Sequence, residues 1–190
     1  MDEAKLIARA AGGDARAFNE LMAQHERRMY AVALRMCGTK EDAEDCLQEA
    51  MLRIYRAIGG FKAQSSFATW VYRITMNTCL DELRRRKNRP SASLDGMLDA
   101  GWSPSDGHEG PEQRAVRAEA KRALEAMIRE LPEDMRAAVV LRDIQGLSYE
   151  DIAEALGANV GTIKSRISRG REKLREKIQA RPELFDRRGV

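Results

Sequence analysis

Two groups of side chains carry the chemistry of this chain, and both suit nucleic acid. Between residues 61 and 89, Phe61, Phe67, Trp70 and Tyr72 alternate with Lys62, Arg73, Asn77, Arg84, Arg85, Arg86, Lys87 and Arg89. Rings offer faces on which unpaired bases stack, cations offset phosphate charge, and an amide can read a base edge. Core packing is the first explanation for Phe67 and Trp70, because Val71, Ile74 and Leu80 share their helical stripe. Between residues 147 and 173, Lys164, Ser165, Arg166, Arg169, Arg171 and Lys173 crowd one arc of a helix whose opposite side carries Ile163, Ile167 and Leu174. Such an arc fits the major groove and touches base edges and phosphates. A solvated basic face is the usual role of such a helix, so its neighbours must decide.

Those neighbours form a helix-turn-helix pattern. Ser148 can cap a first helix that turns Ile152, Ala153 and Leu156 to one side, with Glu150 and Asp151 at its positively polarised start. Gly157 supplies the left-handed residue that ends it. Asn159 can cap the second helix, which Gly161 and Thr162 begin. Helix, break, cap and apolar stripe agree, which favours DNA recognition over a merely solvated face.

The rest of the chain also reads as helix. Glu3 begins a short one, Gly12 and Gly13 interrupt it, and Asp14 caps a second that runs to Gly38 with Phe18, Leu21, Met22, Met29, Val32, Ala33 and Met36 in period; His25, Glu26, Arg27 and Arg28 fall on its wet side. Thr39 starts a third, with Asp42 placed as in a capping box and Leu47, Met51, Ile54 and Ile58 as its buried stripe. Its outer face carries Glu41, Asp42, Glu44, Asp45 and Glu49 ahead of Arg53 and Arg56. Dipole preference explains part of this, and a docking face for a basic partner is the other reading. A divalent-metal site is discounted, because a straight helix does not wrap a cation as a loop does.

Gly59 and Gly60 then lead into a polar loop and a fourth helix from about Ser66 to Arg86. Residues 90–112 lose periodicity; they hold Asp95, Asp99, Asp106, Glu109 and Glu112 with no Lys or Arg, which predicts a flexible acidic linker. Leu94, Met97, Leu98 and Trp102 are its possible docking points. Helical pattern returns at Gln113, stops before Pro132, resumes through Met135, Val139, Val140 and Ile144, and closes at Gly146. Residues 181–190 read as a mobile tail.

The 190 residues suffice for two small domains, and 43% hydrophobic with only 5% aromatic and 33% charged residues favours a helical protein over a sandwich or a membrane span. A net charge of only +3 hides strong local separation of sign. No long apolar run or secretory leader is seen, so a cytoplasmic location without membrane insertion is expected. Cys37, Cys46 and Cys79 are odd in number and far apart in sequence, and with His25 and His108 equally isolated, buried thiols and no metal site are expected. No phosphate-binding glycine loop, HExxH or Ser, His and acid set stands out, so no cofactor and no enzyme activity are expected. From these residues an operator-binding regulator and a polymerase subunit both remain open; a regulator should carry a dimerisation or ligand domain where this chain has its acidic and aromatic helices.

The blocks DAEDCLQEAMLRIYRAI, SFATWVYRITMNTCLDELRRRKNR, LPEDMRAAVVLRDIQGLSYEDIAEALG and VGTIKSRISRGREKLR, in this order, resemble the extracytoplasmic-function (ECF) sigma factors, small members of the sigma-70 family. The resemblance covers nearly the whole chain. It implies an all-α protein of two small helical domains: sigma region 2 over 1–89, the linker over 90–112, sigma region 4 with the helix-turn-helix over 113–180, and the tail over 181–190. Asp45, Gln48, Glu49, Arg53 and Arg56 are then expected to meet core RNA polymerase at the beta-prime coiled coil, with the beta subunit also a partner. Lys62, Gln64, Ser65, Ser66, Trp70, Tyr72 and Asn77 are expected at the minus-ten promoter element, with Arg84, Arg85, Arg86 and Lys87 on its backbone. Thr162, Lys164, Ser165, Arg166, Ser168 and Arg169 are expected at the minus-thirty-five element. Ser168 departs from the bulkier residue that members can carry, and Asn159 caps a turn that often holds proline. The acidic linker would run through the polymerase active-site and RNA-exit region, mimicking transcript charge. The resemblance also implies an anti-sigma factor partner.

Overall fold

The computed structural model describes residues 2–87 and 111–185, with side chains from 115 in the second stretch. Every described element is helical, and most begin with the caps read from the sequence. Helix α1 (Glu3–Ala11) is short, and α2 (Ala15–Cys37) starts where the Asp14 carboxylate accepts from the Arg16 and Ala17 amides at 3.0 and 3.1 Å. Gly38, at φ 93°, lets the chain reverse into α3 (Lys40–Ala57), whose first turn is capped by the Thr39 hydroxyl. The expected capping box is only half formed there, since the Asp42 carboxylate turns to the Thr39 hydroxyl and to Arg86. A short 3-10 turn, Ile58–Gly60, and a loop lead to α4 (Phe67–Lys87).

Helices α2, α3 and α4 pack on one another, and α1 covers one edge. Their interior holds Leu21, Met29, Met36, Ile54, Val71 and Met76, all fully buried, so apolar burial of about 25 cal/mol per Å² drives this half together. His25 is also inside, contrary to its expected wet side. It is 7% exposed and packs edge-on to Phe67 at 5.4 Å between ring centres, because α4 lies across this face of α2. Burial pushes its pKa down, and its Nε2 lies 3.3 Å from Glu3 without a well-aligned hydrogen bond.

The second half comprises α5 (Pro111–Arg129), α6 (Glu133–Val139) continued by a π-helical turn (Val140–Ile144), α7 (Tyr149–Leu156), α8 (Val160–Gln179) and α9 (Pro182–Phe185). Two boundaries shift from expectation. Pro111 and Glu112, assigned to the linker, are helical, and residues 182–185 of the expected tail form α9 against α5 and α8. Linker residues 90–110 and tail residues 186–190 lie outside the described residues. Gly170 sets the spacing of α8 on α6: a Cβ there would stand 2.7 Å from Val139 Cγ2. The halves also meet each other. Arg136 donates to the Met36 carbonyl at 2.7 Å, Arg35 pairs with Glu125 at 3.1 Å, and Lys87 pairs with Glu133 at 3.0 Å.

Candidate nucleic-acid interface

The helix-turn-helix follows its sequence signals closely. Ser148 and Asp151 form a full capping box, Gly157 is left-handed at φ 59°, and Asn159 Oδ1 accepts from the Thr162 amide at 2.7 Å. Ile163 and Ile167 are buried, and this fixes the rotation of α8. Lys164, Ser165, Ser168 and Arg169 are consequently exposed on one arc, with Thr162 and Arg166 half-buried beside it. Arg166 is not free: its Nε donates to Asp134 at 3.1 Å. Residues missed by sequence reasoning complete this face. Tyr149 lies under Lys164, 5.4 Å from its ring centre, while Arg142 stacks on the same ring at 4.5 Å and donates to the Leu147 carbonyl at 2.6 Å. Arg142 sits in the π-helical turn, a local widening that no sequence period announces.

The second surface is built differently. Phe61, Phe67 and Trp70 form a cluster with ring centres 5.2 to 5.6 Å apart. Trp70 is 8% and Tyr72 2% exposed, so both belong to the core and offer no open face for a base, unlike the contact expected of them. Core packing, the first explanation for Phe67 and Trp70, describes both. In the loop before α4, Lys62, Gln64 and Ser66 are exposed and Ser65 is half-buried, and Asn77 is exposed on α4. Ser66 caps α4 by accepting from the Thr69 amide at 3.0 Å. Ala63, at φ 53°, is the one described non-glycine residue in the left-handed region, so the loop stores about 1–2 kcal/mol of backbone strain beside the exposed polar groups.

The basic end of α4 is engaged within the molecule. Arg84 pairs with Asp81 at 3.2 Å, Arg85 with Glu82, Arg86 with Asp42 and Glu82, and Lys87 with Glu133. Arg86 beside it holds the Asp42 carboxyl below its ordinary range. Arg73 pairs with Glu154 of α7. On α3, Asp45 and Gln48 are exposed, while Glu49 binds Arg53, which also reaches Asp81 at 2.9 Å; Arg56 is exposed nearby. Next to Gln48 an apolar groove opens between α2 and α3, where Leu52 and Tyr55 are about half exposed and Tyr55 meets Phe18 edge-on at 5.0 Å. The acidic pattern on α3 marked this face but not its apolar half.

The thiols are buried as expected, but they also converge. Cys37, Cys46 and Cys79 are all buried, and their sulfur atoms lie within 4.8 Å of one another. Cys37 and Cys46 share a 3.3 Å hydrogen bond. Hydrogen bonding with Cys37 and Cys79 pulls the Cys46 thiol down to about 4, while Cys37 and Cys79 are pushed up. Each cysteine sits on the apolar stripe of its own helix, and only the packing of three helices brings them together.

A helical half with an apolar groove beside an acidic helix face and a polar loop, joined to a helix-turn-helix, is the architecture of a sigma-type initiation factor. The family model for sigma-70 region 2 matches residues 21–89, and that for sigma-70 region 4 matches residues 121–174. RNA polymerase sigma-H factor of Pseudomonas aeruginosa is 38% identical over 179 residues, covering 92% of this chain and 93% of its own. The ECF RNA polymerase sigma-E factor of Escherichia coli is 36% identical over 178 residues, with 92% and 93% covered. A solved complex of CnrH with the cytosolic domain of CnrY has 27% identity and a TM-score of 0.66, over 92% of this chain and 96% of that one. The sigma factor RpoE in complex with the anti-sigma factor NepR from Bartonella quintana shares the fold, at TM-score 0.68 and 23% identity over 87% of this chain and 98% of that one. The chain therefore belongs to the ECF sigma factors of the sigma-70 family and is a promoter-specificity subunit of RNA polymerase. Among the described residues no helix is long and apolar enough to cross a membrane.

Proposed function

We propose that the two surfaces divide the work of promoter recognition. Helix α8 enters the major groove at the minus-thirty-five element with Lys164, Ser165, Ser168 and Arg169, while Thr162 and Arg166 meet the backbone beside it. The 61–66 loop and Asn77 hold the minus-ten element as its strands part. Lys62, Gln64, Ser65 and Ser66 surround an extruded base, and the Phe61, Phe67 and Trp70 cluster keeps the loop and α4 in register without touching it. Extrusion costs a few kcal/mol of stacking and pairing, which contacts to these polar side chains partly offset.

The observation that carries this reading is one chain with both an open recognition arc on α8 and, in its other half, an exposed amide, Asn77, on the helix that also carries the buried Phe67 and Trp70. A regulator acting from outside polymerase needs the first and has no use for the second. Asp45, Gln48, Glu49, Arg53 and Arg56, with the Leu52 and Tyr55 groove, dock core polymerase. An apolar groove edged by carboxylates suits a basic amphipathic coiled coil such as that of beta-prime, with the beta subunit contacting the other half. Separation of the halves frees Arg73 and Lys87 from Glu154 and Glu133, so that with Arg84, Arg85 and Arg86 they meet phosphates. No catalysis and no resident cofactor are needed, because binding energy opens the DNA. The protein acts in the cytoplasm until an anti-sigma factor, of the kind bound to the Bartonella quintana relative, masks these faces.

Run-off transcription with purified core polymerase tests the reading. Promoter-specific transcripts are expected, and Asn77→Ala should keep core binding while the bubble loses permanganate reactivity. Tight operator binding by the free protein, with no transcription when core is added, would overturn it.

A further inference from the structure

The cysteine cluster lies outside the residue sets proposed above for DNA and polymerase, and its geometry is specific. Cys37 closes α2, Cys46 lies in the second turn of α3 and Cys79 lies in α4, and none is more than 6% exposed. We propose that Cys37, Cys46 and Cys79 form a three-thiolate site for a thiophilic monovalent ion, Cu(I).

Geometry supports this first. Three sulfurs around one ion at bonds of about 2.3 Å stand about 4 Å apart. The observed separations, 3.3 Å for Cys37 to Cys46 and within 4.8 Å for all pairs, need only small rotamer adjustments to match. Ligand number decides the class of ion. Among the described residues no histidine, carboxylate or further cysteine joins the three. Structural zinc takes four protein ligands and iron–sulfur clusters take four, whereas soft thiolate sets select Cu(I).

Charge agrees. Three thiolates and Cu(I) leave two negative charges, and the Arg86 and Arg136 guanidiniums both act on Cys37 through space. Access is also present, because a cleft lined by Glu49, Thr78, Glu82 and Arg86 reaches Cys46. Binding replaces the thiol protons by the ion and releases them to water, with no change of oxidation state. The ion would staple α2, α3 and α4, the helices that carry the polymerase-docking face and Asn77.

The test uses the full chain, reduced and under nitrogen, competing for Cu(I) with the chromogenic chelator bathocuproine disulfonate. The wild type should withdraw one Cu(I) per chain and melt at a higher temperature when loaded. Cys46→Ser and Cys79→Ser should each weaken Cu(I) binding by at least about 10–100-fold, the loss that even outer-shell substitutions bring. Cys46→Ala, which buries no unpaired hydroxyl, keeps the test valid should a serine variant fail to fold. Cu(I) left on the chelator, undiminished binding by folded variants, or Zn(II) held in preference to Cu(I) would each overturn the proposal. So would a chain that takes no Cu(I) but closes a Cys37–Cys46 disulfide with peroxide.

Discussion

Helices α4 and α8 both bear basic residues on an amphipathic frame, yet they present them in opposite ways. On α8 the apolar stripe is narrow, Ile163, Ile167 and Leu174 are buried, and the polar arc stands open. On α4 the aromatic residues are inside, and each of Arg73, Arg84, Arg85, Arg86 and Lys87 already has a carboxylate partner. Reading an intact duplex needs only an exposed arc of correct rotation. In the proposed division of work, holding a base out of the stack needs a surface that keeps its shape without DNA, and the buried aromatic cluster beside the loop suits that need.

The largest expected effect tests that claim. Trp70→Ala removes the middle of the aromatic floor and should cost about 3–5 kcal/mol of stability, measured by urea denaturation. A loss below about 1 kcal/mol would mean that Trp70 is not a support and would return it to the DNA-contacting set. On α8 the balance should reverse. Lys164→Ala or Arg169→Ala should leave stability within about 0.5 kcal/mol. Holoenzyme binding should weaken by about 1–3 kcal/mol where the contact is to a base, with less sequence dependence where it is to phosphate. Titration against duplexes varied in the minus-thirty-five element separates the two.

Acid should strike the α4 side first. Asp42 has a folded pKa below its unfolded value of 3.8 because Arg86 stabilises the carboxylate, so its contribution is present above that value and lost as pH falls through the folded pKa. His25 acts in a higher window. Its folded pKa lies below 6.5, so the unfolded chain takes the proton first and stability falls as pH drops from about 6.5. Urea midpoints between pH 7 and pH 3 should show both declines, and His25→Phe should flatten the upper one. Smallest is Arg84→Ala. Its side chain is 69% exposed, so its pair with Asp81 should be worth about 0–1 kcal/mol, and the change should appear instead as a shallower salt dependence of promoter binding.

Much of this was legible because local signals act over one or two turns. Asp14, Thr39, Ser148 and Asn159 cap the helices they were expected to cap, and Gly38 and Gly157 end the preceding ones. The apolar period of α8 alone placed Lys164, Ser165 and Arg169 on its open side. Misreadings fall where another element intervenes. His25 was assigned to solvent by the period of α2, but α4 covers it.

By itself, then, the sequence determined the helices, their caps, the helix-turn-helix and, through four ordered blocks, the family. Tertiary structure alone decided which basic residues are already paired, that the aromatics form a floor, and that three cysteines distant along the chain share one buried point. The physical reason is range. Capping and periodicity are set by neighbours within a few residues, whereas burial, ion pairing and sulfur convergence depend on helices that meet only after the chain has folded.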